Sequence, residues 1–430
     1  MFVLTITGRY VRLLFNKMII RLMGGVTVKN PPVKALSWRR AVLMIVGLPL
    51  VVSLAAMAYA WPASRIAPRD LPVGIVGTST ASQNVVESLT RSKPGGFDFH
   101  LYPDQASARS AIKNREVYGA FAITPASVTV LEATAASTPV AQLLGMSGRQ
   151  LAIHATKLSE ERLAPPAHAT SHGSRARKSV AKTVAQVTVK TVDVVPTSTD
   201  DPRGVVFSSA LLPLTICSVL IAALITLSGL RLPGWRRFID LIVGCAVSGL
   251  AAYLVTQGIL GALPHNHVAT WAALSLTMLA VSTTSAGLIR LIGQPGLGLG
   301  AALMVFVGNP FSGSTSAPEL LPKAVDDIGQ WLPPGAGASL LRSTAYFDGH
   351  GSGGHIVVLV LWSVFGLMSV VFGRRPLTVP SDTLEQGARE PGDTSAEDLA
   401  ADEPAAALPS LSPALEGHGT HSHARHAAHE

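Results

Sequence analysis

The residues of this sequence offer little of what covalent chemistry needs. No stretch has the form GxxxxGKS or GxxxxGKT, and the glycine-rich sequence 296–300 lacks the lysine and the hydroxyl of a phosphate-binding loop. Asp240 is the only acidic residue within the long apolar segments, and an ion pair with nearby Arg236 and Arg237 accounts for it. We therefore expect no ATP hydrolysis, no proton relay and no catalytic site on this chain, and no cofactor bound to it.

Histidines near the carboxyl terminus are the one group with metal-binding chemistry. Imidazoles bind Zn²⁺ or Ni²⁺, but these residues are irregularly spaced in a Pro-, Ala- and acid-rich tail. This composition favours a disordered, acidic, His-containing tail over residues 374–430, and a metal site is the weaker interpretation. The histidines are His418, His421, His423, His426 and His429.

Hydroxyl side chains are the main polar groups of the apolar segments. Ser282, Thr283 and Thr284 follow one another in the fourth of these segments. Small polar residues in such segments most often mediate helix packing, and lining a substrate path is the alternative.

A proline-rich motif follows the fifth apolar segment. Its prolines predict the end of the preceding helix, an amphipathic segment over 324–331 and a short helix over 338–345. A loop of this kind folds back on its own protein, where it either seals the structure or lines an exit path. The motif residues are Asn309, Pro310, Ser312, Gly313, Pro318, Glu319, Pro322, Pro333, Pro334, Gly335 and Arg342.

Apolar length and composition predict a membrane protein. Charged residues make up 14% of the chain, against about 25% in an average soluble domain, and its mean hydropathy is +0.38. A helix needs about 20 apolar residues to cross the hydrocarbon core. We predict an α-helical polytopic protein with six spans, of which the fifth is the least regular: 41–61, 205–230, 238–263, 268–289, 296–311 and 356–373.

The first of these spans allows two interpretations. Trp61 lies where an interfacial aromatic residue belongs, which favours a membrane anchor. The twin arginines before it and the sequence Ala58-Tyr59-Ala60 also resemble an export signal with a cleavage site. The anchor is favoured because about 40 residues precede the span, more than a signal sequence usually has.

Positive charges predict the orientation of the spans. Arginines follow the second, fourth and sixth spans, whereas the connection 264–267 has neither Lys nor Arg. By the positive-inside rule both termini are cytoplasmic, and residues 62–204 and the loop 312–354 lie outside. Residues 1–40 contain eight basic and no acidic residues, and their apolar spacing predicts an amphipathic helix on the inner membrane surface or, alternatively, against protein. Because the charge is polarised along the chain, a nucleic-acid partner is not expected.

We predict that residues 62–204 form a small α/β domain inserted between spans 1 and 2. Apolar runs predict strands at 71–77, 97–102, 117–123, 128–132 and 187–194. Helical spacing lies between them, over Asp104 to Glu116 with Asp104 as the cap, and over 139–162. Residues 164–179 predict a flexible insert, and residues 205–373 contain the remaining spans.

This pattern resembles the permease subunits of type-two ATP-binding-cassette exporters, in particular the phage-infection-protein-like bacterial branch. The resemblance covers about residues 35–375 and depends on the strand openings at 71–76 and 117–123, the return at 200–204 and the loop from Asn309 to Arg342. It implies an exporter that is a homodimer in the bacterial plasma membrane, in contact with lipid. Because the spans lack charged groups apart from Asp240, we expect its substrate to be amphipathic or lipidic. ATP is then bound by a separate ATP-hydrolysing subunit, and the chain itself is not an enzyme.

The same resemblance implies a contact with the ATPase at the connection after the second span. The residues at that place are Arg231, Trp235, Arg236 and Arg237, and positive-inside anchoring is their alternative role. The competing function is a membrane receptor or assembly scaffold whose external domain binds a partner without transport.

Overall fold

The computed structural model describes most of the chain between the first predicted span and the last. The predictions for residues 1–37, for the insert 164–179, for Arg231 and for the tail 374–430 lie outside the described residues. The described ranges are 38–77, 80–124, 127–163, 187–227, 233–264 and 266–373.

Helices dominate the described residues, and one five-stranded sheet accompanies them. The helices are α1 (Trp38–Ser64), α2 (Thr80–Ser92), α3 (Gln105–Lys113), α4 (Thr138–Leu163), α5 (Val205–Leu227), α6 (Gly234–Tyr253), α7 (His267–Ile292), α8 (Pro295–Ala301), α9 (Lys323–Trp331), α10 (Pro333–Tyr346) and α11 (Gly353–Phe372). The strands are β1 (Leu71–Val76), β2 (Phe97–Tyr102), β3 (Gly119–Ile123), β4 (Ser127–Glu132) and β5 (Thr188–Asp193).

Five of the described helices are long and apolar enough to cross a membrane. They are α1 from Ile45, α5, α6 with its π-helical continuation to Ile259, α7 and α11. Their length and composition are those of a membrane-embedded protein.

The fifth predicted span is not such a helix, so the described residues contain five candidate spans and not six. It consists of the seven residues of α8 followed by seven π-helical residues, Ala302–Gly308. At 1.5 Å per residue this covers about 21 Å, which is less than the hydrocarbon thickness of about 30 Å. Gly293, with a φ of 82°, and Pro295 precede or begin this helix, and Pro310 follows it, so the sequence limits its length.

Helix α7 is the centre of the helical part. In its apolar window 72% of the residues are buried, and it packs against α5, α6, α10 and α11. Glycines permit this close approach, since Gly366 of α11 lies on the backbone of Thr283 and Gly249 of α6 lies on Ser275. Helix α1 is the opposite case, because only 6% of its window is buried and its apolar side chains are exposed.

The sheet has the strand order β2-β1-β3-β4-β5. Strand β1 pairs in parallel with β2 and β3, β3 pairs with β4 as an antiparallel hairpin, and β4 pairs in parallel with β5. Helices connect the parallel strands, as such pairs require. All five predicted strands are present, and Asp104 caps α3 by accepting a hydrogen bond from the amide of Ser107 at 2.7 Å. Helix α2 was not predicted.

The sheet and the helices α2–α4, called the α/β layer below, share one core with the other helices. A single hydrophobic cluster contains Phe121 of β3, Leu144 of α4, Leu263 beyond α6 and Leu341 of α10. Residues 309–347, called the cap below, contribute to this core. They contain both predicted short helices, the second of which begins earlier, at Pro333.

Candidate functional site

The cap begins with a tight turn that holds the end of α1. The side-chain amide of Asn309 donates to the Tyr59 hydroxyl at 3.4 Å, and that hydroxyl donates to the Val305 carbonyl at 2.9 Å. Ser312 donates back to the Asn309 carbonyl at 2.6 Å. Gly313 has a φ of 65°, and a Cβ atom on it would lie 2.7 Å from the nitrogen of Pro318. This position therefore requires glycine.

The prolines of the motif begin the remaining elements of the cap. Pro318 starts a 3-10 turn, Pro322 precedes α9, and Pro333 and Pro334 form the first turn of α10. Proline suits these positions because its fixed φ is compatible with the first turn and no amide is needed there. Gly335 faces the backbone of α9 with no room for a Cβ atom, and every residue of α10 is buried. The cap is thus a packed unit that contains all eleven predicted motif residues.

A buried polar junction ties the cap to the α/β layer. Tyr118 donates to the carboxylate of Glu319 at 2.6 Å. Arg115 donates to the Ser339 carbonyl at 3.0 Å and to the Ser343 hydroxyl, both in α10. Burial, with Glu319 beside it, raises the pKa of Tyr118 well above its usual value, so its hydroxyl remains a donor. These contacts fix the position of the domain on the cap.

Arg115 lies just after α3 and closes the end of that helix: its amide donates to the Ile112 carbonyl, and the Glu116 amide donates to the Ala111 carbonyl. Its φ is 62°, in the left-handed region that costs a residue with a side chain roughly 1 kcal/mol or more. Its guanidinium lies 5.5 Å from the centre of the Phe347 ring, a cation-π distance. Neither Arg115 nor Tyr118 was predicted as a functional residue, since Arg115 lay in the predicted helix Asp104 to Glu116 and Tyr118 in the predicted strand 117–123.

Arg342 is the most buried charge of the cap, with 4% of its surface exposed. It donates to the Ser314 carbonyl at 3.1 Å and lies 4.8 Å from the centre of the Phe207 ring. Burial lowers its pKa to about 10, so it keeps its charge at neutral pH. Phe207 belongs to α5, and the carboxylate of Asp201 caps this helix by accepting from two of its amides at 2.9 Å each.

One cavity contacts this arginine, and a second cavity lies beside the first. The inner cavity, about 70 Å³, lies between the starts of α4 and α5, and Arg342 lines it. The outer cleft, about 330 Å³, lies between α1 and α5 and is lined by Tyr59, Ile66 and Leu212. The two share a wall made of Ser208 and residues 314–316. This pair of cavities is the candidate binding site.

The predicted path-lining hydroxyls lie elsewhere, inside helix contacts. Ser282 donates to the Ser218 carbonyl of α5 at 2.7 Å, and Thr283 and Thr284 donate to carbonyls one turn earlier in α7, also at 2.7 Å. All three side chains are buried. These contacts are those of helix packing, and a role in lining a path stays a prediction.

The predicted ATPase contact lies at the amino-terminal end of α6. The helix begins at Gly234 and not at Phe238, so Trp235, Arg236 and Arg237 form its first turn and do not belong to a connecting loop. Trp235 is 62% exposed, and the Arg236 side chain is exposed as well. An aromatic and a cationic side chain are thus available at this end for a partner or for the membrane surface.

No family model, curated protein or solved structure matches this chain. The function is therefore argued from the geometry of the cap, the junction and the two cavities.

Proposed function

We propose that this chain is the membrane permease subunit of an ABC-type exporter of the bacterial plasma membrane. It moves an amphipathic or lipidic substrate outward and performs no covalent step itself. A separate ATP-hydrolysing subunit supplies the energy, and two copies of the chain form the functional unit. Both termini are cytoplasmic, and residues 62–204 and 312–354 lie outside.

The observation that carries this proposal is the mixed lining of the outer cleft. Ile66 and Leu212 give it an apolar side, whereas Asn309 and the hydroxyls of 314–316 give it a polar side. Ligand sites combine an apolar lining with a few placed polar groups. A cleft of this kind between two apolar helices suits a molecule that has both a polar and an apolar part.

Helix α1 is attached to the rest of the protein in a way that permits access to this cleft. It packs mainly on residues 302–312, with the Tyr59 contacts among the few polar ones. Because so little of α1 is buried, moving it costs few contacts. Its exposed apolar face also offers a surface for lipid or for the second copy of the chain.

Helix α6 supports a mechanical link between the two ends. Trp235 lies at its amino-terminal end, and the chain that follows its carboxyl-terminal end contacts both the α/β domain and the cap. There Ser198 donates to the Gly261 carbonyl at 2.6 Å, and Tyr346 donates to the Ala262 carbonyl at 2.7 Å. A displacement of the Trp235 end by an ATPase is thereby passed to Tyr346, which lines the inner cavity.

Affinity capture of the full chain from its native membrane tests this proposal. We expect an ATPase subunit to be recovered and the Trp235→Ala variant to bind it about thirtyfold more weakly, the loss of about 2 kcal/mol typical of a central aromatic. Trp331→Ala is the matched control, since Trp331 is 64% exposed and lies in the cap. Recovery of no ATPase, or equal loss in both variants, contradicts the proposal.

One surface favours the second candidate function, a receptor or scaffold that binds an external partner. A groove of about 600 Å³ lies between α2 and the edge strand β2, lined by Val86, Phe99 and Leu101. Leu101 is 62% exposed, and an unpaired apolar edge is a site for strand addition. Under this function, Leu101→Asp abolishes recovery of an envelope protein, and nucleotide has no effect on that recovery.

A further inference from the structure

We propose that the inner cavity binds the anionic headgroup of a membrane lipid whose hydrocarbon chain occupies the outer cleft. This inference rests on the proposed function, because it assigns a substrate class to the site described above. The lining of the outer cleft supports an amphipathic substrate, and the inner cavity adds the requirement that the polar part of this substrate carries a negative charge.

The charges around the inner cavity are the first observation that favours an anionic ligand. Among the described residues that line it, the charged ones are Arg342 and Arg203, and none is acidic. Two carboxylates of the surrounding elements already have hydrogen-bond partners: Asp201 accepts from the amides of α5, and Glu319, whose charge acts on Arg342, accepts from Tyr118. A buried guanidinium without a paired carboxylate is costly, and an anion in the cavity would offset that cost.

The second observation is a set of hydrogen-bond donors at the inner cavity that have no acceptor among the described residues. Within the described part of the chain, Arg342 makes one hydrogen bond, to the Ser314 carbonyl, although a guanidinium has five N–H groups. The hydroxyls of Ser314 and Thr315 line the cavity and make no hydrogen bond to any other described residue. Arginine and hydroxyl donors together are the usual partners of a phosphate group.

The third observation is the size of the inner cavity and its shared wall with the outer cleft. One water needs about 10–15 Å³ of such cavity volume, so about 70 Å³ has room for a small polyatomic group. The wall shared with the outer cleft places that group next to a space of about 330 Å³ between α1 and α5. A free anion would fill only the inner cavity, whereas a lipid accounts for both spaces.

Lipid binding to the purified full chain tests this assignment without any ATPase. The chain in phosphatidylcholine nanodiscs is titrated with phosphatidylglycerol and, separately, with inorganic phosphate, and bound lipid is counted by native mass spectrometry. We expect preferential binding of phosphatidylglycerol and weaker binding, by about tenfold or more, in Arg342→Gln. Arg203→Gln, at an exposed position where only the backbone makes a hydrogen bond, should weaken binding severalfold without affecting folding.

Control variants separate the site from general charge effects. Arg91→Gln removes an exposed arginine of α2 and should bind as the original protein does. Leu212→Trp narrows the outer cleft and should weaken lipid binding while leaving any binding of inorganic phosphate unchanged. Equal binding of both lipids, or unchanged binding in Arg342→Gln and Arg203→Gln, overturns the inference. Phosphate binding as tight as lipid binding identifies a free-anion site and also overturns it.

These outcomes are distinguishable from failure of the proposed function. If phosphatidylglycerol binds as expected and no ATPase is recovered, the lipid site remains and the exporter proposal fails. If an ATPase is recovered and binding shows no charge preference, the exporter proposal remains and the headgroup assignment fails.

Discussion

The hydrogen bond between Tyr118 and Glu319 should be the strongest single link between the α/β layer and the cap. Tyr118→Phe removes the donor and keeps the ring, so the packing of this buried side chain is preserved. The 2.6 Å bond involves a carboxylate, and such bonds contribute about 1.5–3 kcal/mol to stability. Glu319 is only half-buried, and water partly replaces the lost partner, so we expect a loss of about 2 kcal/mol.

A double-mutant cycle with Glu319→Gln measures this link. Unfolding of the purified protein in detergent is followed for the two single variants and the double variant, and a coupling energy of about 1–2 kcal/mol is expected. Tyr102→Phe is the control, because its hydroxyl makes no hydrogen bond among the described residues. The reasoning is refuted if Tyr118→Phe costs no more than Tyr102→Phe, or if the coupling energy is zero.

Three further predictions concern pH, the cap turn and orientation. Burial, with nearby carboxylates, raises the pKa of Asp326 to about 6, so the folded state holds this proton more tightly than the unfolded state. Stability should therefore fall as pH rises from about 4 to 6, and thermal unfolding at pH 8 should find Asp326→Asn more stable by about 1 kcal/mol, the full 3 kcal/mol being reduced by partial exposure. Gly313→Ala should lower stability by about 1–3 kcal/mol, whereas Gly298→Ala, at a helical position with open space, should not; equal midpoints in a thermal scan would contradict the turn geometry. A cysteine at Lys113, in a background without native cysteines, should react with an impermeant maleimide in intact cells, and reaction only after lysis would reverse the orientation.

The regular elements could be predicted because their signals are local. Strand β1 and the helix capped by Asp104 follow from apolar runs and from one capping residue. Helix α2 was missed because its sequence, TASQNVVESLTRS, has few apolar residues and several residues that also favour turns. The bounds of the fifth segment were predicted nearly correctly, because Pro295 and Pro310 mark its ends, but its seven α-helical and seven π-helical residues are too few to cross the hydrocarbon core.

The candidate site could be predicted only in part. Prolines and glycines mark the cap in the sequence because they restrict the backbone locally. The junction could not be predicted, since Tyr118 and Glu319 are 201 residues apart and no local pattern joins them. Arg342 belonged to the predicted motif, but its burial above Phe207 and its place beside a cavity depend on long-range packing.

Transport by the reconstituted complex tests the central claim most directly. The full chain and the captured ATPase are placed in vesicles that contain fluorescent anionic and zwitterionic lipids, with the ATPase facing the added nucleotide. We predict that ATP, but not a non-hydrolysable analogue, moves the anionic lipid to the leaflet on the side of the α/β domain, and that Trp235→Ala abolishes this movement. Active ATP hydrolysis with no ATP-dependent movement of any labelled lipid would contradict the proposal that this chain is an exporter of amphipathic molecules.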